Sequence, residues 1–196
     1  MYFLAGVTTF ISAAAAAALQ VRDAPQNVRV RGVSLLGTGC PPGTADVQVD
    51  ATGSLFEATF SAYEVETGPG TFPADWRRNC KLTINLQFDP GFQFSIVETD
   101  MIGFAEIPAG SNGQCINTFS FTGGGAQHVD YRISLRGHYS GNFDLRSSPG
   151  IFSWSPCGGS TAILNMNTAC SINPTNQQAL IAASHTLAQT STGVLH

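Results

Sequence analysis

The sequence predicts an all-β protein: a single antiparallel β-sandwich, disulfide-bearing, with an N-terminal signal peptide. Three observations predict it. Apolar and polar residues alternate with a period of two through most of the chain, Gly/Pro clusters break that alternation at short intervals, and five cysteines follow an uncharged apolar start. Alternation gives a strand one apolar and one polar face. Several such strands need a second sheet to bury their apolar faces.

Residues 1–18 read as the signal peptide. Tyr2 to Leu19 carry no charge, Ala13–Ala18 is an alanine run, and Ala16 and Ala18 satisfy the A-x-A cleavage pattern. A membrane anchor would need about 20 strongly apolar residues, and alanine is a poor substitute. Residues 19–176 form the expected sandwich domain. Within it Val28 and Val30 alternate with Arg29 and Arg31, and Phe56, Ala58 and Phe60 with Glu57, Thr59 and Ser61. The cleanest strand places Leu82, Ile84, Leu86 and Phe88 on one face and Lys81, Thr83, Asn85 and Gln87 on the other. Phe92, Phe94 and Ile96 continue the pattern, as do Phe119 with Phe121 and Val129, Tyr131, Ile133 and Leu135. The turns between them include Gly39–Gly43, Gly68-Pro69-Gly70, Asp89-Pro90-Gly91 and Ser148-Pro149-Gly150. Residues 177–196 read as an Ala/Ser/Thr/Gln-rich C-terminal tail. Its start carries a short helix signal: Thr175-x-x-Gln178 has the form of a capping box, and Leu180, Ile181, Ser184 and Leu187 follow at helical spacing.

Charged residues make up 11% of the chain and the net charge is −4. One lysine, Lys81, stands against eight arginines, with no basic block. Nucleic acid is therefore excluded as a partner, and no polybasic or second apolar stretch implies a membrane after cleavage. Glycine, serine, threonine and asparagine supply the polarity, which suits a secreted, extracellular or wall-associated protein.

Cys40, Cys80, Cys115, Cys157 and Cys170 have no C-x2-C pair, so disulfides are expected rather than a metal site. Cys40 and Cys80 lie at strand boundaries beside turns and are expected to pair. Cys157 is expected to pair with Cys115 or Cys170.

Two carboxylate pairs have the i, i+2 spacing that projects both groups from one strand face, Glu64 with Glu66 and Glu98 with Asp100. Strand rise separates such a pair by roughly 7 Å, within reach of glycoside hydrolysis. Solvent-facing strand positions carry such pairs routinely, and no G-x-S-x-G or H-E-x-x-H motif accompanies them. No cofactor motif is present. The inorganic ligand that the oxygen-rich segments Glu64–Gly70 and Glu98–Asp100 allow is a loop-bound calcium. Trp76 sits in the polar loop Pro73–Arg78 and is the candidate ligand contact, while Trp154 reads as a core residue beside a disulfide. The function expected is a secreted non-enzymatic module that binds a glycan, wall polymer or host protein. The alternative is a hydrolase acting on an extracellular polymer through the paired carboxylates.

An ordered set of fragments adds a resemblance. It begins with Gly37–Thr44, followed by Phe60-Ser61-Ala62-Tyr63 and Arg78-Asn79-Cys80. Pro90–Phe94, Gly103-Phe104-Ala105, Trp154–Gly158 and Leu164–Thr168 complete it. Together they resemble the DUF4360 family, small secreted fungal and bacterial proteins known only as a domain of unknown function. The resemblance implies a secreted β-sandwich and supplies no activity or catalytic residue. Two departures stand out: Met101-Ile102 replaces an aromatic-arginine pair, and the chain lacks the late cysteine with which the family ends.

Overall fold

The computed structural model describes residues 27–50, 53–124 and 127–194. The signal-peptide segment 1–18 lies outside the described residues. Among the described residues ten strands follow in order, beginning with β1 Arg29–Leu36, β2 Ala45–Val49, β3 Leu55–Thr67, β4 Arg77–Gln87 and β5 Phe92–Ile107. Then come β6 Asn112–Phe121, β7 Val129–Arg136, β8 Tyr139–Ser147, β9 Thr161–Asn173 and β10 Ala179–Val194. They form two antiparallel sheets, sheet I in the order β1-β4-β9-β6-β7 and sheet II in the order β2-β3-β10-β5-β8.

Alternation decides which side chains meet between the sheets. On β4, Leu82, Ile84 and Leu86 are buried while Lys81 and Asn85 are exposed. Leu164 and Met166 of β9, Phe119 of β6 and Tyr131 of β7 complete sheet I's inner face. Sheet II answers with Phe60, Tyr63, Val65, Phe94, Ile96, Met101, Ile107 and Ile181. Burying one such aliphatic side chain contributes about 1.5–3 kcal/mol.

The C-terminal segment corrects the sequence reading. Residues 179–194 are neither tail nor helix but β10, which lies between β3 and β5 in the middle of sheet II. The register shifts between Ala183 and His185. This bulge flips the alternation, so Ala179, Ile181 and Ala183 face inward before it and Thr186 and Ala188 after it. The extra residue leaves a spacing of three between the inward Ala183 and Thr186, which breaks the period of two that marks a strand.

Of the two expected disulfides, the one that involves Cys157 is corrected as well, while Cys40–Cys80 stands as expected. Cys40 bonds Cys80, tying the loop before β2 to β4. Cys115 bonds Cys170 directly across β6 and β9, with Cα atoms 4.1 Å apart. Both of these cysteines face the core on alternating strands, so they already stand opposite each other. Cys157 pairs with neither; it is a free, exposed thiol that accepts a hydrogen bond from Gln93 Nε2 at 2.9 Å. Trp154 is half-buried beside this unpaired cysteine rather than beside a disulfide, and its backbone bridges to Ser95.

Four of the fragments that carry the family resemblance, those with Gly39, Tyr63, Arg78-Asn79-Cys80 and Thr168, converge at one place. Gly39 N donates to Asn79 O at 2.9 Å. The ring of Tyr63 occupies the space a Cβ on Gly39 would need, 2.5 Å from its ideal position, so no larger residue fits there. The Tyr63 hydroxyl lies 2.8 Å from Arg78 O and 2.9 Å from Thr168 O, and it accepts from Cys170 N at 3.2 Å. One tyrosine of sheet II thereby holds β4 and β9 of sheet I beside the Cys40–Cys80 bond.

Candidate functional site

The outward residues of sheet I make a polar floor. Because neighbouring strands are in register, Arg77, Ser171, Gln114 and Ser134 stand in one row across β4, β9, β6 and β7. The adjacent row toward the strand ends holds Asn173, Asn112 and Arg136. Two depressions of about 550 Å³ each lie over these rows and share Gln114 and Ser171, so they read as one groove. Its first half is lined by Pro73, Trp76, Arg77, Ile116, Ala169 and Thr175, its second by Asn112, Ser134, Arg136 and Asn173.

Trp76 is half-buried at the apolar end of this groove. Its loop is locally braced. Trp76 Nε1 donates to Thr71 Oγ1 at 2.9 Å, and Asp75 accepts from Phe72 N at 2.9 Å and from Arg78 at 2.9 Å. The ring's polar edge is thus satisfied within the loop. Arg78 is engaged by Asp75 and the Glu64 carbonyl rather than laid on the indole.

The floor continues along β9 as a ladder of amides and hydroxyls. Thr83 Oγ1 donates to Asn165 Oδ1 at 3.2 Å, and Asn165 Nδ2 donates to Thr122 Oγ1 at 3.0 Å. Asn79 Nδ2 donates to Asn167 Oδ1 at 3.4 Å. Among the described residues the one carboxylate on this outer face is Asp130, which is held by Thr118 at 2.8 Å and Arg132 at 2.9 Å.

Sheet II's outer face is opposite in charge. It carries Asp46, Glu57, Glu64, Glu66, Glu98, Asp100, Glu106 and Asp144 against a single arginine, Arg146. Both sequence-predicted carboxylate pairs lie here. Glu64 and Glu66 are exposed on β3, while Glu98 and Asp100 are on β5, with β10 between the two strands. Asp100 lies mid-strand rather than in a turn. It accepts from Arg146 Nε at 2.9 Å, and Arg146 Nη1 lies 3.3 Å from Glu98 Oε1. The hydrogen bond to Asp100, then the charges of Asp100 and Glu98, raise the guanidinium's pKa above its ordinary value. This is an ion-pair network across β5 and β8. Among the described residues no group of three or more His, Cys, Asp or Glu side chains gathers as a metal site.

Sequence reasoning did not anticipate the His185–Glu57 pair, with Nδ1 3.0 Å from Oε1. His185 lies on β10, in the segment whose composition reads as a tail, and a tail residue has no strand partner to assign. The groove itself was equally hidden, because it is assembled from four strands whose order the sequence does not state.

Residues 26–196 match the family described as Domain of unknown function (DUF4360). The chain belongs to the DUF4360 family. A relative of this DUF4360 chain, an uncharacterized secreted protein of Arthroderma benhamiae, is 32% identical over 157 residues. The alignment covers 79% of this chain, which spans 63% of that relative's length. Two solved carbohydrate-binding modules share a distant likeness with it. TmCBM61, in complex with β-1,4-galactotriose, is 7% identical with a TM-score of 0.29, covering 84% of this chain and 90% of its own. The family 11 module of Clostridium thermocellum, in complex with a mixed-linked tetrasaccharide, is 11% identical with a TM-score of 0.26, covering 87% and 91%. At such TM-scores the likeness assigns no residue or site to this chain, and the bound sugars are properties of those proteins.

Proposed function

We propose that this DUF4360 chain is a secreted module that binds an extracellular glycan along the sheet I groove without cleaving it. The observation that carries the reading is the groove's lining. Gln114, Ser171, Ser134, Asn112 and Asn173 present neutral donors and acceptors in register, and Trp76 with Ile116 closes one end with apolar surface. Sugars offer the same mixture, hydroxyls at the ring edge and an apolar C–H face that stacks on an aromatic ring. The groove crosses several strands, which suits a chain polymer better than a small solute.

Three further points support it. Among the described residues no carboxylate lines the groove, whereas glycoside hydrolysis uses two flanking the scissile bond. Two disulfides fit an oxidising compartment. A relative of the chain is a secreted protein.

The test is retention on immobilised wall polysaccharides, run beside a reducing-sugar release assay. Trp76→Ala and Gln114→Ala should each weaken retention roughly fivefold, the loss of a contact worth on the order of 1 kcal/mol. Gln114 is a surface residue, so its variant should keep the parental melting temperature. Steady sugar release that is abolished by Glu98→Gln or Asp100→Asn would replace this reading with a hydrolase.

A further inference from the structure

We infer that the polymer held by this groove is anionic, a polyuronate-type chain whose carboxylates meet Arg77 at one end and Arg136 at the other. The inference rests on the glycan-binding reading and names its ligand class. Arg77 lines the half of the groove that contains Trp76, and Arg136 lines the other half. Both are exposed.

Their lack of partners within the groove sets them apart. Arg78, Arg132 and Arg146 each hold a carboxylate. Among the described residues Arg77 and Arg136 hold none, and the single carboxylate of this face, Asp130, is already engaged by Arg132. Arg29, Arg31 and Lys81 also hold no carboxylate, but among the described cations without one only Arg77 and Arg136 line the groove. An exposed arginine with no partner is unremarkable alone. Two of them at opposite ends of one groove, with only neutral residues between, define a charge pattern a ligand can match. Guanidinium recognises a carboxylate through two parallel N–H donors, which adds orientation to attraction.

The spacing follows from the register. Arg77 and Ser134 share a row three strand intervals wide, and Arg136 is two residues further along β7. At about 4.8 Å per interval and about 3.4 Å per residue, the two Cα atoms are roughly 16 Å apart. That length spans several linked sugars, so the two ends of one segment would be gripped by charge and its middle by amides and the indole.

The opposite face sharpens the choice. Sheet II's outer carboxylates repel a polyanion while sheet I's outer face attracts it, so an anionic matrix would meet the protein groove-first despite a net charge of −4.

Affinity electrophoresis in polygalacturonate and in its fully methyl-esterified form compares one backbone with and without charge. The wild type should bind the free acid at least several-fold tighter, and the preference should shrink between about 20 and about 200 mM NaCl as screening shortens. Arg77→Gln and Arg136→Gln should each cost roughly fivefold on the acid, the size of one exposed ion pair, and little on the ester. Equal binding of acid and ester, or silent arginine variants, overturns the anionic inference while the glycan reading stands. Failure to bind either galacturonan or any neutral wall glucan overturns both.

Discussion

Tyr63 and Tyr131 cross the core in opposite directions and pin the two sheets to each other. Tyr63, on β3 of sheet II, reaches the backbone of β4 and β9 in sheet I. Tyr131, on β7 of sheet I, donates its hydroxyl to Ile96 O on β5 of sheet II. Replacing Tyr63 with Phe keeps the ring but strands buried backbone groups. It should lower unfolding free energy by about 1–3 kcal/mol in urea titrations. A loss no larger than that of an exposed substitution such as Asn85→Ala would remove Tyr63 from this role.

The same two phenols predict an alkaline limit. Burial raises both pKa values above the ordinary 10, that of Tyr131 to about 12 and that of Tyr63 further. The folded state therefore keeps protons that the unfolded state sheds. The sign follows from linkage: this contribution is intact below about pH 10 and is lost as pH climbs from there through about 12. Circular dichroism and phenolate absorbance, followed together, should show these tyrosines ionising with unfolding in that window. Ionisation of every tyrosine while the sheet signal persists would contradict the burial.

Arg146 stands between Glu98 and Asp100 and is their shared counter-ion. Arg146→Ala should destabilise the protein more than Glu98→Gln, because it leaves two like charges side by side on one strand face. The difference should shrink as salt rises, since the arginine is exposed. Differential scanning fluorimetry across a salt series measures it. A larger effect for Glu98→Gln would mean that the guanidinium is not what holds the pair.

The two bridges make a chemical prediction. Peptide mapping without reduction should recover Cys40 with Cys80 and Cys115 with Cys170, and iodoacetamide should label Cys157 in the native protein. Removing the second bridge by Cys115→Ser with Cys170→Ser should cost roughly 2–4 kcal/mol. A bridge from Cys157 to Cys115 or Cys170 would show the Cys115–Cys170 pairing across β6 and β9 to be wrong.

Much of this fold was legible because its signals were local. The β4 alternation separated Leu82, Ile84 and Leu86 from Lys81 and Asn85 without error, since period two needs no knowledge of a neighbour. Pairing and strand order are not local. Cys115 shares the inward parity of Phe119, Cys170 that of Leu164 and Met166, and Cys80 that of Leu82, so parity puts all three in the core without pairing them. Cys157, in a Pro/Gly/Ser loop, has no parity to read. The bulge at Ser184 disguised β10 by breaking the period that identifies strands. Trp76 was legible as a loop residue, but its groove depends on β4, β9, β6 and β7 being neighbours, which only the folded sheet supplies.

Truncation after Gln177 tests the largest of these corrections. A tail can be removed without consequence, because its ordering contributes nothing to the core. Removing β10 would take Ile181, which is fully buried, together with Ala179, Ala183 and Ala188, out of the inner face of sheet II. It would also open the backbone edges of β3 and β5, which now pair with β10 on either side. Unpaired edges of that length promote aggregation. The truncated chain should therefore be insoluble or lack a cooperative unfolding transition, whereas Leu187→Ser, on the outer face of the same strand, should remain folded. A soluble truncated protein with the full-length melting temperature would return residues 177–196 to the status of a tail.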